Sequence, residues 1–163
     1  VVVPGEIPRS NVLRLLDSRH VPHQAFAFSE EVHSAEGAAE AMGVPVERVY
    51  KTLVVLRERG RPLLVLVPGG RRLNLRRLAT VLGEKKLRMA GQRQAESLTG
   101  LQVGGISALA LLNRRFDVYI DASAQAFAEI YVSAGLRGLN VRLPVADLVR
   151  LTGARWAEAA AAE

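Results

Sequence analysis

The chain of 163 residues has no cysteine. That excludes disulfides, thiolate metal sites and a cysteine nucleophile, and it is compatible with a reducing, cytoplasmic setting. Aromatic residues make up only 5%, so the core must be built from Leu, Val and Ile. Long apolar runs are also missing. The run Leu63 to Val67 is of strand length and stops at Pro68, whereas a membrane-crossing helix needs about 20 apolar residues. The opening VVVPGEIPRS has neither a basic region nor an apolar stretch of signal-peptide kind. Three histidines are present, His20, His23 and His33, but Pro22 breaks the helix that would align the first two. No H-E-x-x-H or neighbouring carboxylate completes a metal set, so no metal is expected. Ser107 or Ser133 with Asp117 or Asp121 lacks a nucleophile-elbow sequence, and paired acid/base carboxylates are not evident. The scarcity of conventional catalytic groups points away from most hydrolase mechanisms.

What the chain has is positive charge, formally +6. It lies mostly on arginine, in clusters at Arg71, Arg72, Arg76 and Arg77, at Lys85, Lys86 and Arg88, and at Arg114 and Arg115. A basic surface favours a polyanionic partner, nucleic acid first. Heavy arginine use also follows from base composition or heat adaptation, so charge alone leaves both readings open. Of only three lysines, Lys85 and Lys86 sit together in a polar segment. Lys51 instead opens the β-branched run Thr52-Leu53-Val54-Val55-Leu56, which reads as a buried strand. An ammonium there either snorkels to water or needs an anionic or strongly polar partner.

The rest of the chain reads as short elements. Ser10 caps a helix carrying Val12, Leu13, Leu15 and Leu16. Alternation over His23 to Phe28 predicts a short strand. Ser34 caps an alanine-rich helix stopped by Gly43, and Pro45 starts a further turn. Strands at Tyr50 to Arg57 and Leu63 to Val67 form a hairpin. Asn74 caps a helix through Leu82 that carries Arg76 and Arg77 on its polar side. A strand near Leu87 to Met89 and a helix near Gln92 to Leu98 follow. Further strands are expected at Phe116 to Ile120, Glu129 to Ser133 and Leu139 to Leu143, then a helix over Ala146 to Leu151. The alanine-rich C-terminal tail is expected to fray. Short strands broken by helices, without regular βαβ alternation, predict one α+β domain around a mixed sheet or barrel, over residues 1–163.

Gly104-Gly105, between Val103 and Ile106-Ser107, combines conformational freedom with room for close approach. Such a segment is either a bulge or tight turn, or a nest of main-chain N–H groups for a carboxylate, a phosphate or a developing oxyanion.

Taken together, VYKT at Val49–Thr52, VGGIS at Val103–Ser107, the turn Asp121-Ala122-Ser123-Ala124-Gln125 and the segment IYVSAGLRGLN ending at Asn140 resemble one family. It is the YbaK-type aminoacyl-tRNA deacylases, relatives of the editing domain of bacterial prolyl-tRNA synthetases. The resemblance runs from about Asn11 to Trp156. It implies a compact α+β fold with a mixed, barrel-like sheet and a cytoplasmic, metal- and cofactor-free editing enzyme acting in trans on mischarged tRNA(Pro), foremost cysteinyl-tRNA(Pro). Alternatives are alanyl-tRNA(Pro) or another small aminoacyl group, or a non-catalytic tRNA-binding module. Prolyl-tRNA synthetase is a candidate partner.

By the same resemblance, Lys51 is the essential lysine near the ester carbonyl and terminal ribose, and Gly104 and Gly105 present amides to the substrate carbonyl. Phe28, Thr52, Ile106, Ser133 and Asn140 line the substrate site. Arg71, Arg72, Arg76, Arg77, Lys85 and Lys86 are the candidates for tRNA contact. Phe28 stands where the family often has tyrosine, Ala108 where it has proline, and Asn140 where it has aspartate. The implied nucleophile is the substrate cysteine's own thiol, or water for a non-thiol amino acid.

Overall fold

The computed structural model describes residues 7–162. Five helices are each eight residues long: α1 (Asn11–Ser18), α2 (Ala35–Met42), α3 (Leu75–Leu82), α4 (Gln92–Thr99) and α5 (Val145–Thr152). Eight strands accompany them: β1 (Gln24–Ala27), β2 (Tyr50–Arg57), β3 (Leu63–Pro68), β4 (Leu87–Met89), β5 (Asp117–Asp121), β6 (Glu129–Leu136), β7 (Leu139–Pro144) and β8 (Arg155–Ala157). The caps expected from sequence are in place. Ser10 Oγ accepts from the amides of Val12 and Leu13, and Ser34 Oγ and Asn74 accept from Gly37 and Arg77. Ser10 does more than cap. Its hydroxyl donates to the Ala134 carbonyl at 2.7 Å, which fastens α1 to β6.

The α+β class is as expected, but the strands do not close into a barrel. They form a three-stranded antiparallel sheet, β1-β7-β6, and a five-stranded mixed sheet, β4-β2-β3-β5-β8. A parallel bridge between Val49 and Tyr131 connects the two. β3 lies at the centre of the mixed sheet, antiparallel to β2 and parallel to β5. Every residue of β3 is buried, because both faces of the strand are covered. Leu64 and Leu66 enter one apolar cluster, with Leu16, Ile120, Ile130 and Val141, while Leu63, Val65 and Val67 enter another under Leu78 of α3. Alternation thus explains an uninterrupted hydrophobic run.

Two features were not anticipated. β4 pairs only with Val55–Arg57, with one further hydrogen bond from Ala90 to Val54. The first half of β2 is therefore an open edge, and this is where the candidate site forms. The C-terminal tail, expected to fray, is held in place. Ala157, Ala159 and Ala160 are buried. The Asp121 carboxylate accepts from the amides of Ala159 and Ala160 at 2.9 and 2.8 Å. Asn74 N donates to Ala159 O at 2.7 Å, and Ala161 N to Arg72 O at 2.6 Å. Small side chains let this segment lie close to the sheet, so its order comes from long-range hydrogen bonds and not from local propensity. Burial pushes the Asp121 carboxyl up, but hydrogen bonds from the Ser123 hydroxyl and from the amides of Ala160, Ala159 and Ser123 outweigh it and hold the group below its ordinary value.

Candidate active site

A cavity of about 250 Å³ opens at the free edge of β2. Lys51, Thr52 and Leu53 of β2 form one wall, and Phe28, Ser133 and Asn140 another. The loop before α2 contributes His33 and Ser34, while Val103, Gly104 and Ile106 close the remaining side. The expected residues Lys51, Thr52, Gly104, Phe28, Ile106, Ser133 and Asn140 are thus brought together. Ser133 and Asn140 are direct register partners across β6 and β7. Asn140 is buried at 6% exposure and makes no side-chain hydrogen bond among the described residues, which leaves its amide for whatever enters the cavity.

Lys51 is half-buried, and its Nζ donates to the Gly69 carbonyl at 3.2 Å. No carboxylate lies within ion-pair distance of it among the described residues. An ammonium has three donors, so two remain for a ligand, and its charge is not neutralised. The first turn of α2, through Ser34, Ala35 and Glu36, also borders the cavity. The positive end of that helix adds to the field of Lys51, and the Glu36 carboxylate in its first turn opposes it.

The two glycines differ in role. Gly104 has φ +94, and a Cβ there would lie 2.7 Å from the Cβ of His33, so glycine is required both by conformation and by the wall it touches. Its amide makes no hydrogen bond among the described residues and is available to a ligand. Gly105 does not line the cavity, and its amide donates to the Gln102 carbonyl at 2.7 Å. This corrects the expectation that both amides face the substrate. Gly105 serves packing instead, since a Cβ would come within 2.9 Å of Arg137 N and 3.0 Å of Leu136 C.

Two residues that sequence reading passed over hold this loop. Glu96 of α4 accepts from Val103 N at 2.8 Å, and Arg137, between β6 and β7, donates from Nε to Val103 O at 2.7 Å. A carboxylate and a guanidinium therefore grip the two main-chain groups of one residue beside Gly104. The signal was the arginine of the RGL segment, whose reach depends on a turn that only the fold defines.

The basic candidates differ in their surroundings. Arg71 is half-buried, with Nε donating to Ala161 O at 2.8 Å, and Arg77 pairs with Glu158 at 2.8 Å. Arg72 is exposed. Arg76, Lys85 and Lys86 line a separate groove along α3 that shares no residue with the Lys51 cavity. Asp117 pairs with Arg57 at 2.7 Å and Asp121 holds the tail, with no histidine in either network. Among the described residues, no three His, Asp or Glu side chains gather as metal ligands, and no helix is long and apolar enough to cross a membrane.

Lys51, the Gly104 amide and the small polar groups of Thr52, Ser133 and Asn140 thus converge on one cavity of an α+β fold. Comparison with known proteins gives the family. Residues 29–151 match the family model of the aminoacyl-tRNA editing domain. Over 92% of both chains, the protein is 34% identical to EbsC of Enterococcus faecalis, a proposed Cys-tRNA(Pro)/Cys-tRNA(Cys) deacylase. It is 38% identical over 72 residues to a proline–tRNA ligase of Nitratidesulfovibrio vulgaris, a stretch that is 44% of this chain and 12% of that one. A crystal structure of a proposed trans-editing enzyme for prolyl-tRNA synthetase superposes with a TM-score of 0.79 at 27% identity, over 95% of this chain and 100% of that one. The chain belongs to the aminoacyl-tRNA editing domain family.

Proposed function

We propose that the protein is a free-standing deacylase that clears mischarged tRNA(Pro), with cysteinyl-tRNA(Pro) its foremost substrate. The observation that carries this reading is Lys51: a half-buried ammonium that, among the described residues, has two unused donors and no carboxylate within ion-pair distance, in a cavity that Gly104 also borders. Such a pair suits the carbonyl oxygen of an ester, on which negative charge develops as a nucleophile adds. The names given to EbsC and to the superposed trans-editing enzyme support the same substrate class.

For a cysteinyl ester the substrate thiol, as thiolate, attacks its own carbonyl carbon. The bond from that carbon to the ribose oxygen breaks, and the ribose oxygen takes up a proton. The products are free tRNA and a small cyclic thioester. The protein's part is then to hold the aminoacyl group folded for attack and to stabilise the oxyanion. Phe28, Ile106 and Ser133 bound the space for the side chain, and Asn140 supplies a hydrogen-bonding amide. The cavity's size suits a small aminoacyl group such as cysteine or alanine.

Purified protein is to be assayed on cysteinyl- and alanyl-tRNA(Pro), with the released small molecule identified by mass spectrometry. Faster cleavage of the cysteinyl ester with release of the cyclic thioester is expected. Cleavage of neither substrate overturns the proposal, and cleavage of the alanyl ester alone reassigns the specificity to a water-dependent reaction.

A further inference from the structure

A second recess shares Tyr50 with the Lys51 cavity. It is a groove of about 640 Å³ bordered by Val46, Tyr50, Pro68, Arg71, Ser123 and Phe127. We propose that this groove binds the unpaired nucleotides at the 3′ end of the tRNA whose aminoacyl ester sits at Lys51, an inference that rests on the tRNA reading above.

Space is the first reason. The Lys51 cavity, at about 250 Å³, is below the roughly 300–1,000 Å³ of pockets that enclose a drug-sized ligand. It takes the aminoacyl group and its ester, so the nucleotides behind them must continue outside. The groove is the adjacent place for them. Tyr50 borders both recesses, and Gly69, whose carbonyl holds Lys51, is followed directly by Gly70 on the groove wall.

Chemistry is the second reason. Val46, Pro68 and the Phe127 ring give an apolar platform of the kind on which unpaired bases stack. The Arg48 guanidinium, 5.5 Å from the Phe127 ring centroid, packs on that ring and fixes it. Arg71 is the groove's cation, and it is oriented in advance. Its Nε and Nη2 donate to the carbonyls of Ala161 and Ala160 at 2.8 and 3.5 Å, and its other donors have no partner among the described residues. A guanidinium held in this way is suited to a phosphate. Tyr50 Oη and Ser123 Oγ, 2.7 Å apart, add polar contacts beside it. Glu47 repels phosphate but accepts from the exocyclic amine of cytosine or adenine, so it sets which end of a nucleotide lies at Arg71. The C-terminal tail thereby gains a role, since its carbonyls aim the arginine.

The test is a titration of the 15N-labelled full chain with the unacylated trinucleotide CCA at low ionic strength, read by amide shifts. Saturable shifts at Gly70, Arg71, Ser123 and Phe127 are expected. Ala126→Trp, an exposed position on the groove wall, should obstruct the site and raise Kd at least about tenfold, and Phe127→Ala should raise it about five- to tenfold through lost stacking. Shifts confined to the Lys51 cavity, no saturable shifts, or unchanged affinity in both variants would overturn the proposal. Shifts in the groove from a peptide library but not from CCA would assign it to a protein partner and overturn it equally. CCA binding at these amides in a protein that cleaves no aminoacyl-tRNA would leave the groove standing and count against the proposed reaction alone.

Discussion

The grip on Val103 makes a specific demand on Glu96. Its carboxylate accepts from Val103 N at 2.8 Å while Arg137 Nε donates to Val103 O at 2.7 Å. A hydrogen bond to a charged group contributes about 1.5–3 kcal/mol. Glu96 is half-buried, so the lower part of that range applies once solvent screening is allowed for. Glu96→Ala should therefore release the loop carrying Gly104 by about 1.5 kcal/mol, roughly a tenfold shift in the population of the ordered loop. Glu96→Gln keeps an acceptor without the charge and should lie between the two. The assay is single-turnover cleavage of cysteinyl-tRNA(Pro), with thermal unfolding measured alongside. The expected order of rate is wild type, Glu96→Gln, Glu96→Ala, with rate falling further than stability. Combined with Arg137→Ala the losses should not add, since both act on one residue. A wild-type rate in Glu96→Ala, or a loss explained fully by unfolding, would refute the positioning role.

Other outcomes follow from the same contacts. Asp121→Ala strips the acceptor from two buried tail amides and should cost about 2–6 kcal/mol in chemical denaturation, at about 1–3 kcal/mol for each amide; a change below about 1 kcal/mol would mean that the tail is not held as described. Because the folded carboxyl titrates below its unfolded value of about 3.9, its stabilisation is fully present above that pH and is lost as pH falls through the folded value. Asp121→Asn should accordingly flatten the acid side of the stability curve, and an unaltered acid side would contradict this. Gly105→Ala drives a Cβ against the main chain at Arg137 and Leu136 and should destabilise by about 1–3 kcal/mol while displacing the loop; retained stability and activity would show that the contact relaxes freely. If Arg76, Lys85 and Lys86 meet tRNA phosphates, neutralising all three should lower the slope of log K against log salt by about one per contact, whereas an identical slope removes that groove from the tRNA path.

Local signals carried most of the fold. Ser10, Ser34 and Asn74 satisfy helix N-termini through their own side chains, and Gly43 and Gly83 adopt the left-handed conformation that ends α2 and α3. These features depend on a few adjacent residues and so can be read directly. The tail could not be read in this way, because alanine has no periodic pattern to betray burial and its amides find their acceptor in Asp121, 38 and 39 positions away. Nor could the parallel pairing of β3 with β5, which joins residues across two intervening helices. At the candidate site, Lys51 and Gly104 stood out as a cation and a glycine in apolar surroundings. Gly105 looked equivalent to its neighbour, yet its amide is engaged by Gln102 and its missing side chain makes room for the β6–β7 turn. His33 and Glu96 gave no local sign, and Arg137 showed only as the arginine of the RGL segment, since each acts through a loop brought near by the rest of the chain.

The central claim is that the Lys51 ammonium stabilises charge on the reacting ester. Single-turnover cleavage of cysteinyl-tRNA(Pro) by Lys51→Ala, compared with the wild type, tests it most directly. Loss of one positioned donor predicts a rate lower by about 10²–10³, with the fold intact. A variant that cleaves at the wild-type rate would contradict the account.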